Sequence, residues 1–165
     1  MRDLPSADEL ELIAIRVARM AAAIVADGVG HATRLAAKSS PTDIVTDIDV
    51  ASETAIRRQL ASETPGCGVI GEEHGDTERR ARLQWIVDPL DGTVNYFYGV
   101  PHFCVSIALR HGNEVVLGVI YDPMRDELWQ AERGGPALRN GEPCRVSARA
   151  ANASGCPRSS APVFF

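Results

Sequence analysis

The stretch Trp85-Ile-Val-Asp88-Pro-Leu-Asp91-Gly-Thr93-Val-Asn95 constrains this chain more than any other. It reads as an apolar strand that breaks at Asp88-Pro89 and restarts, after Gly92, as the first turn of a helix. Two carboxylates three residues apart in one turn repel each other. At ~4 Å and an effective dielectric near 20 the repulsion approaches ~4 kcal/mol, which a hard divalent cation would relieve. The amides of Gly92 and Thr93, placed at a helix start, suit a phosphate oxygen. Taken alone, Asp-Pro-x-Asp-Gly also describes an ordinary strand-to-helix turn, with Asp91 capping and Gly92 supplying a positive φ. The rest of the chain decides between the two.

With 165 residues and 45% hydrophobic content the chain can bury one sizeable core. A formal charge of −5 argues against a general nucleic-acid or membrane-surface binder, because both surfaces are anionic. No apolar run is long enough to span a bilayer, and the start Met1-Arg-Asp-Leu-Pro5 lacks a secretory apolar stretch, so a cytoplasmic location is expected. Cys67, Cys104, Cys144 and Cys156 show no C-x-x-C spacing, which suggests neither a zinc knuckle nor a disulfide frame. Cys104, within an apolar run, is expected to be a small core residue.

Ser6-Ala-Asp-Glu9 is a capping-box sequence, and Leu10, Ile13, Ala14, Val17, Met20, Ala21, Ile24 and Val25 recur at helical spacing before Gly28. A loop holding Lys38-Ser-Ser-Pro41 follows. Thr42-Asp43-Ile-Val-Thr46-Asp47-Ile-Asp49 then leads into a second helix through Leu60. Thr46-x-x-Asp49 is again a capping box, which accounts for Asp47 and Asp49 as helix-starting acids. If that start faces the Asp88/Asp91 turn, one of these acids gains a catalytic use. Cys67-Gly-Val-Ile-Gly71 ends in Glu72-Glu73, acids at the end of a strand, and Gly75 to Arg82 reads as an exposed connection. Beyond Asn95, apolar runs at 103–109, 115–121 and 127–131 and a last pair around Asn140-Gly141 are separated by hairpin signals. The expected architecture is α+β, two N-terminal helices packed on an antiparallel sheet. His31, His74, His102 and His111 fall in expected loops with no i, i+4 pair, so no histidine metal site is expected. The last stretch, 150–165, has no period and is expected to be a disordered tail, leaving 1–149 as the folded portion.

Together, Lys38-Ser-Ser-Pro-Thr-Asp43-Ile-Val-Thr46-x-x-Asp49, Ile70-Gly-Glu72-Glu73 and Trp85-Ile-Val-Asp88-Pro-Leu-Asp91-Gly-Thr93-Val-Asn95-Tyr resemble the inositol monophosphatase family. The likeness continues through Pro101-x-Phe-x-Val-Ser-Ile107, Gly118-Val-Ile-Tyr-Asp-Pro123 and Gly134-Gly-Pro-Ala-x-x-Asn140-Gly141, and covers roughly residues 8 to 147. It implies a Mg²⁺-dependent phosphatase of small phosphate monoesters with an αβαβα layered fold, of which this would be the first half. Carried over residue by residue, Glu72, Asp88, Asp91 and the main-chain oxygen of Leu90 are the implied metal ligands. Asp49, Glu72 and Thr93 are the implied catalytic residues, and Glu72, Leu90, Asp91, Gly92 and Thr93 the implied substrate contacts. In that scheme a metal-activated water attacks phosphorus in line. An all-oxygen donor set suits Mg²⁺. Lys38 would steer substrate or close a loop, with a solvated surface lysine as the other reading.

The family continues into a second half with a Trp-Asp motif that completes a metal site. Here Trp85 and Trp129 precede Ile86 and Gln130, so neither is that motif. The chain is expected to be truncated, weak or inactive in hydrolysis, and to expose apolar sheet surface. A phosphatase for inositol monophosphate, possessing a small phosphorylated partner and a possible homodimer, is the leading expectation. Histidinol phosphate, fructose bisphosphate or a nucleotide 3′-phosphate are the alternative substrates. A non-catalytic fragment that binds a cation or a partner chain is the reading from a different class.

Overall fold

The computed structural model describes residues 5–37, 44–77 and 81–146. Helix α1 (Ala7–Asp27) starts at the Ser6/Glu9 capping box and buries Leu10, Ile13, Ala14, Val17, Ala21 and Val25 along one stripe. The short strands β1 (Arg34–Ala37) and β2 (Ile44–Thr46) pair antiparallel where the sequence suggests only a loop. Helix α2 (Asp47–Glu63) follows directly from β2, and its Thr46/Asp49 capping box is present in full.

The main sheet contains β3 (Gly68–Gly71), β4 (Asp76–Thr77), β5 (Leu83–Asp91), β6 (Cys104–His111), β7 (Glu114–Asp122), β8 (Glu127–Glu132), β9 (Ala137–Arg139) and β10 (Glu142–Pro143), with helix α3 (Thr93–Phe97) between β5 and β6. Its spatial order is β10-β9-β8-β7-β6-β5-β3-β4. From β5 to β10 it is the antiparallel meander that the hairpin signals predict. The last hairpin has Asn140 and Gly141 as its two loop residues, with φ of 49° and 82°, the doubly left-handed turn that Asn-Gly favours. The expectation of a wholly antiparallel sheet needs one correction, because β3 runs parallel to β5. Crossing back through β4, the chain brings the C-terminal ends of β3 and β5 to the same edge. Glu72 and Asp88 come from those ends. Within the stretch expected to be a plain connection, Asp76–Thr77 pairs with β3, and His111 closes β6 rather than lying in a loop.

Helix α1 packs on β6 and β7, and α2 on β5. Trp85, fully buried, donates from Nε1 to Thr64 Oγ1 at 3.0 Å, fixing the end of α2 against the centre of the sheet. Val105, Ile107, Leu109, Leu117 and Val119 point into the same core. Alternate residues Ser106, Ala108, Gly118, Ile120, Trp129 and Ala131 belong to the opposite face, where they line an apolar groove of about 470 Å³. Trp129 is accordingly an exposed groove residue, whereas Phe103 is core.

Candidate functional site

Strand β5 does not stop at Pro89. It continues to Asp91 through an irregularity: Asp88 pairs with Ser106, then Asp91 with Cys104, so two residues on β5 oppose one on β6. Proline and a bulge go together because the missing N–H falls where the ladder is already interrupted. Asp88 Oδ1 accepts from Leu90 N at 3.2 Å, tightening the bulge. Gly92 follows with φ of 97°. A Cβ there would sit 2.9 Å from His102 O and 3.2 Å from Phe103 Cα, so both the left-handed backbone and the close approach of the segment leading into β6 require glycine. With only five residues, α3 offers the amides of its first turn rather than a developed dipole.

The N-terminus of α2 meets this turn. Asp49, 2% exposed, accepts from Thr46 N at 2.9 Å and from the Thr46 hydroxyl on Oδ2, while Oδ1 lies 2.9 Å from Thr93 Oγ1. Thr93 Oγ1 is also 2.9 Å from Leu90 O. One hydroxyl proton serves one of these acceptors at a time, leaving the Thr93 oxygen with lone pairs directed elsewhere. Ser52, fully buried, donates to Pro89 O at 3.1 Å and ties the same helix to the bulge.

Glu72 is exposed beyond the end of β3, and Asp91 is exposed at the end of β5. Both nevertheless act on Asp88. Burial first, then the charges of Glu72 and Asp91, push the Asp88 carboxyl up to about 7, with a Glu72 hydrogen bond adding to the rise and the Leu90 amide opposing it. Three carboxylates from two strand ends therefore crowd one another, although among the described residues no three His, Cys, Asp or Glu groups already stand as a metal cage. Carboxylate oxygens crowded together at a partly buried turn, with a backbone carbonyl beside them, are a donor set that fits a hard divalent cation.

Asp47, the neighbouring acid, turns away: its Oδ1 accepts from Thr33 N at 2.8 Å. Lys38 and Asp43, and the tail at 150–165, lie outside the described residues. Cys104 is half-buried rather than fully core; burial and then the nearby acids, Asp91 first, raise its thiol to about 12, and its Sγ sits 3.8 Å from Asp91 Oδ2. Cys67, Cys104 and Cys144 are free thiols. No helix among the described residues is long and apolar enough to cross a membrane.

Ser52 and Glu53 carry no sequence motif that sets them apart from the rest of α2. Glu53 is fully buried, accepting from the amides of Glu73 and His74 and from Arg57. The signal for it was slight: a glutamate at N7 of a helix is usually solvated, and only the tertiary approach of the β3–β4 turn buries this one.

The inositol monophosphatase family model matches residues 6–162, reaching into the stretch beyond 149. The Nus factor SuhB of Pasteurella multocida is 44% identical over 136 residues, covering 81% of this chain and 51% of that relative. An inositol-1-monophosphatase of Rhizobium meliloti is 44% identical over 112 residues, covering 67% of this chain and 42% of the relative. The solved extragenic suppressor protein suhB from Bartonella henselae superposes with a TM-score of 0.80 at 36% identity, over 86% of this chain and 55% of that one. The chain thus spans about half the length of the curated relatives it matches.

Proposed function

Because the chain belongs to the inositol monophosphatase family, we propose that it carries the cation-binding and phosphate-binding half of a Mg²⁺-dependent phosphomonoesterase, with inositol monophosphate as the leading substrate. The observation that carries this reading is the meeting of the Asp49–Thr93 pair with the bulged Asp88–Thr93 turn, where burial and then the charges of Glu72 and Asp91 push the Asp88 carboxyl up to about 7. Glu72, Asp88, Asp91 and the Leu90 carbonyl would hold Mg²⁺. When bound, the cation neutralises the acids, polarises the phosphoryl group and acidifies water.

The chain's own groups do the positioning. Asp49, with Oδ2 occupied by Thr46, keeps Oδ1 for the Thr93 hydroxyl. That leaves the Thr93 oxygen as an acceptor that aims a water, and Glu72, exposed at the rim, takes the proton released as the water oxygen bonds to phosphorus. The ester P–O bond breaks with its electron pair on the departing oxygen, which takes a proton from solvent to leave as the alcohol beside inorganic phosphate. The amides of Gly92 and Thr93 receive phosphate oxygens, and the missing side chain at Gly92 lets the phosphate approach the backbone. A dianionic substrate is repelled by these acids until a cation offsets them, so binding should be ordered, cation before phosphate. Histidinol phosphate, fructose bisphosphate and a nucleotide 3′-phosphate would use the same machinery with a different alcohol grip.

The test is Mg²⁺-dependent phosphate release from inositol monophosphate by this chain and by Asp91→Asn. Release by the wild type that Asp91→Asn abolishes supports the reading; no release at any Mg²⁺ concentration overturns it for this chain. A second reading, a non-catalytic fragment that binds a cation or a partner, draws on the apolar groove across the outer sheet face. A second copy of the chain is the occupant proposed, in keeping with a homodimer, and a monomer in sedimentation at all concentrations counts against it. A cytoplasmic location belongs to the same proposal.

A further inference from the structure

Glu53 is fully buried, and none of the roles above engages it. Its Oε2 accepts from Glu73 N at 2.6 Å; its Oε1 accepts from His74 N at 3.1 Å and from Arg57 Nε at 2.6 Å, with His74 Nδ1 at 3.3 Å. Arg57 carries the grip further, donating to Gly75 O and, at 3.4 Å, to Val69 O. One ion pair on α2 therefore fastens β3 and both limbs of the turn that follows it.

The backbone of that turn passes directly over the pair. A Cβ on Gly71 would fall onto Glu53 Oε1 and 2.6 Å from Glu53 Cδ. Gly71 N donates to Gly75 O at 3.3 Å, and Gly75 takes a φ of 69°. Residues 71, 73, 74 and 75 are thus each held by α2 or by one another. The residue they bracket is Glu72, whose carboxylate acts on Asp88.

A buried ion pair is seldom the most stabilising way to fill a core, since a well-packed apolar pair of the same volume often does as well. What this pair supplies is position. We propose that Glu53, together with Arg57, is a positioning residue for the cation site, fixing the 71–75 turn so that Glu72 and Asp88 can share one divalent cation. This rests on the reading of Glu72 and Asp88 as cation ligands.

The experiment measures Mn²⁺ binding to the whole chain by titration calorimetry, alongside amide hydrogen exchange, for wild type, Glu53→Gln, Glu72→Gln and the double variant. Glu53→Gln is expected to keep protection of the β5–β7 core amides, lose it at Glu73 and His74, and bind Mn²⁺ ~10-fold more weakly. Because Glu53 acts through Glu72, the double variant should bind no more weakly than Glu72→Gln alone. If Glu53→Gln binds like wild type while Glu72→Gln does not, the positioning role is overturned and the cation site stands. Additive losses in the double variant also overturn it. If Glu72→Gln binds like wild type, the cation-ligand reading itself falls and this inference with it. Should Glu53→Gln fail to fold, Arg57→Lys carries the same comparison, since it keeps the charge and loses the fork that spans Val69 and Gly75.

Discussion

Glu53 on α2 and Asp88 on β5 are both acids withdrawn from water, and their surroundings drive them in opposite directions. Burial by itself would raise Glu53, yet the Glu73 and His74 amides and the Arg57 guanidinium outweigh it and hold the carboxyl below its ordinary range. Burial raises Asp88 as well, and there the charges that act on it are Glu72 and Asp91, which add to the rise and take it to about 7. Desolvation is common to the two. The difference lies in the neighbours: donors around Glu53 make a fixed structural anion, and like charges around Asp88 make a group that favours its proton and, on the function proposed above, would accept a metal ion.

The comparison breaks most visibly at Glu53. Glu53→Ala removes the anion and leaves Arg57, whose side chain is 15% exposed, without its carboxylate. The expected loss in urea unfolding is ~3–5 kcal/mol, the usual cost of orphaning one member of a buried pair. A loss under ~1 kcal/mol, the range of a solvated surface pair, would mean that water reaches the clamp and that the contrast with Asp88 is only one of degree.

At Asp88 the sign reverses. In metal-free protein the raised carboxyl contributes stability that is fully present below the ordinary aspartate range and is lost as the pH climbs through about 7. Glu53, held low, does the opposite: its contribution is present above the ordinary glutamate range and is lost as the pH falls through its folded value. Asp88→Asn keeps the acceptor for Leu90 N and deletes the charge. In EDTA it should therefore stabilise the fold at pH 8 by ~1–2 kcal/mol, after discounting for solvent screening of a half-buried side chain, with little gain near pH 4. The same variant should lose Mn²⁺ binding. No gain at pH 8 would show that Glu72 and Asp91 do not press on Asp88 in solution.

Much of this contrast was legible in the sequence on one side only. The Asp88–Thr93 turn announces itself because Pro89, Asp91 and Gly92 are each unusual in a strand, and the capping spacing Thr46-x-x-Asp49 locates the start of α2 to the residue. The hairpins after Asn95 follow from Gly112, Asn140 and Gly141 at loop positions. The parallel pairing of β3 with β5 was not legible, since four apolar residues give no direction to a strand, and it is this pairing that brings Glu72 beside Asp88. Glu53 was hidden for a related reason. Its burial depends on a turn twenty residues away, and nothing in the helical period of α2 marks it as different from Glu63 on the same helix. The strands β1 and β2 are too short, at four and three residues, for alternation to register.

The smallest expected effect sets the floor of the comparison. Glu114, at the start of β7, is paired with Arg133, and the two side chains are 60% and 57% exposed. Here a carboxylate has a guanidinium partner, as Glu53 does, but neither burial nor amide donors. Its Coulomb attraction is screened over roughly a Debye length of ~8 Å at physiological salt, and holding two long side chains in register costs entropy. Glu114→Gln should therefore change stability by no more than ~0.5 kcal/mol, leave Mn²⁺ affinity unaltered, and change less still in high salt. A loss comparable with that of Glu53→Ala would mean that pairing alone, without enclosure by the 71–75 turn, accounts for what Glu53 contributes, and the clamp would lose its physical basis.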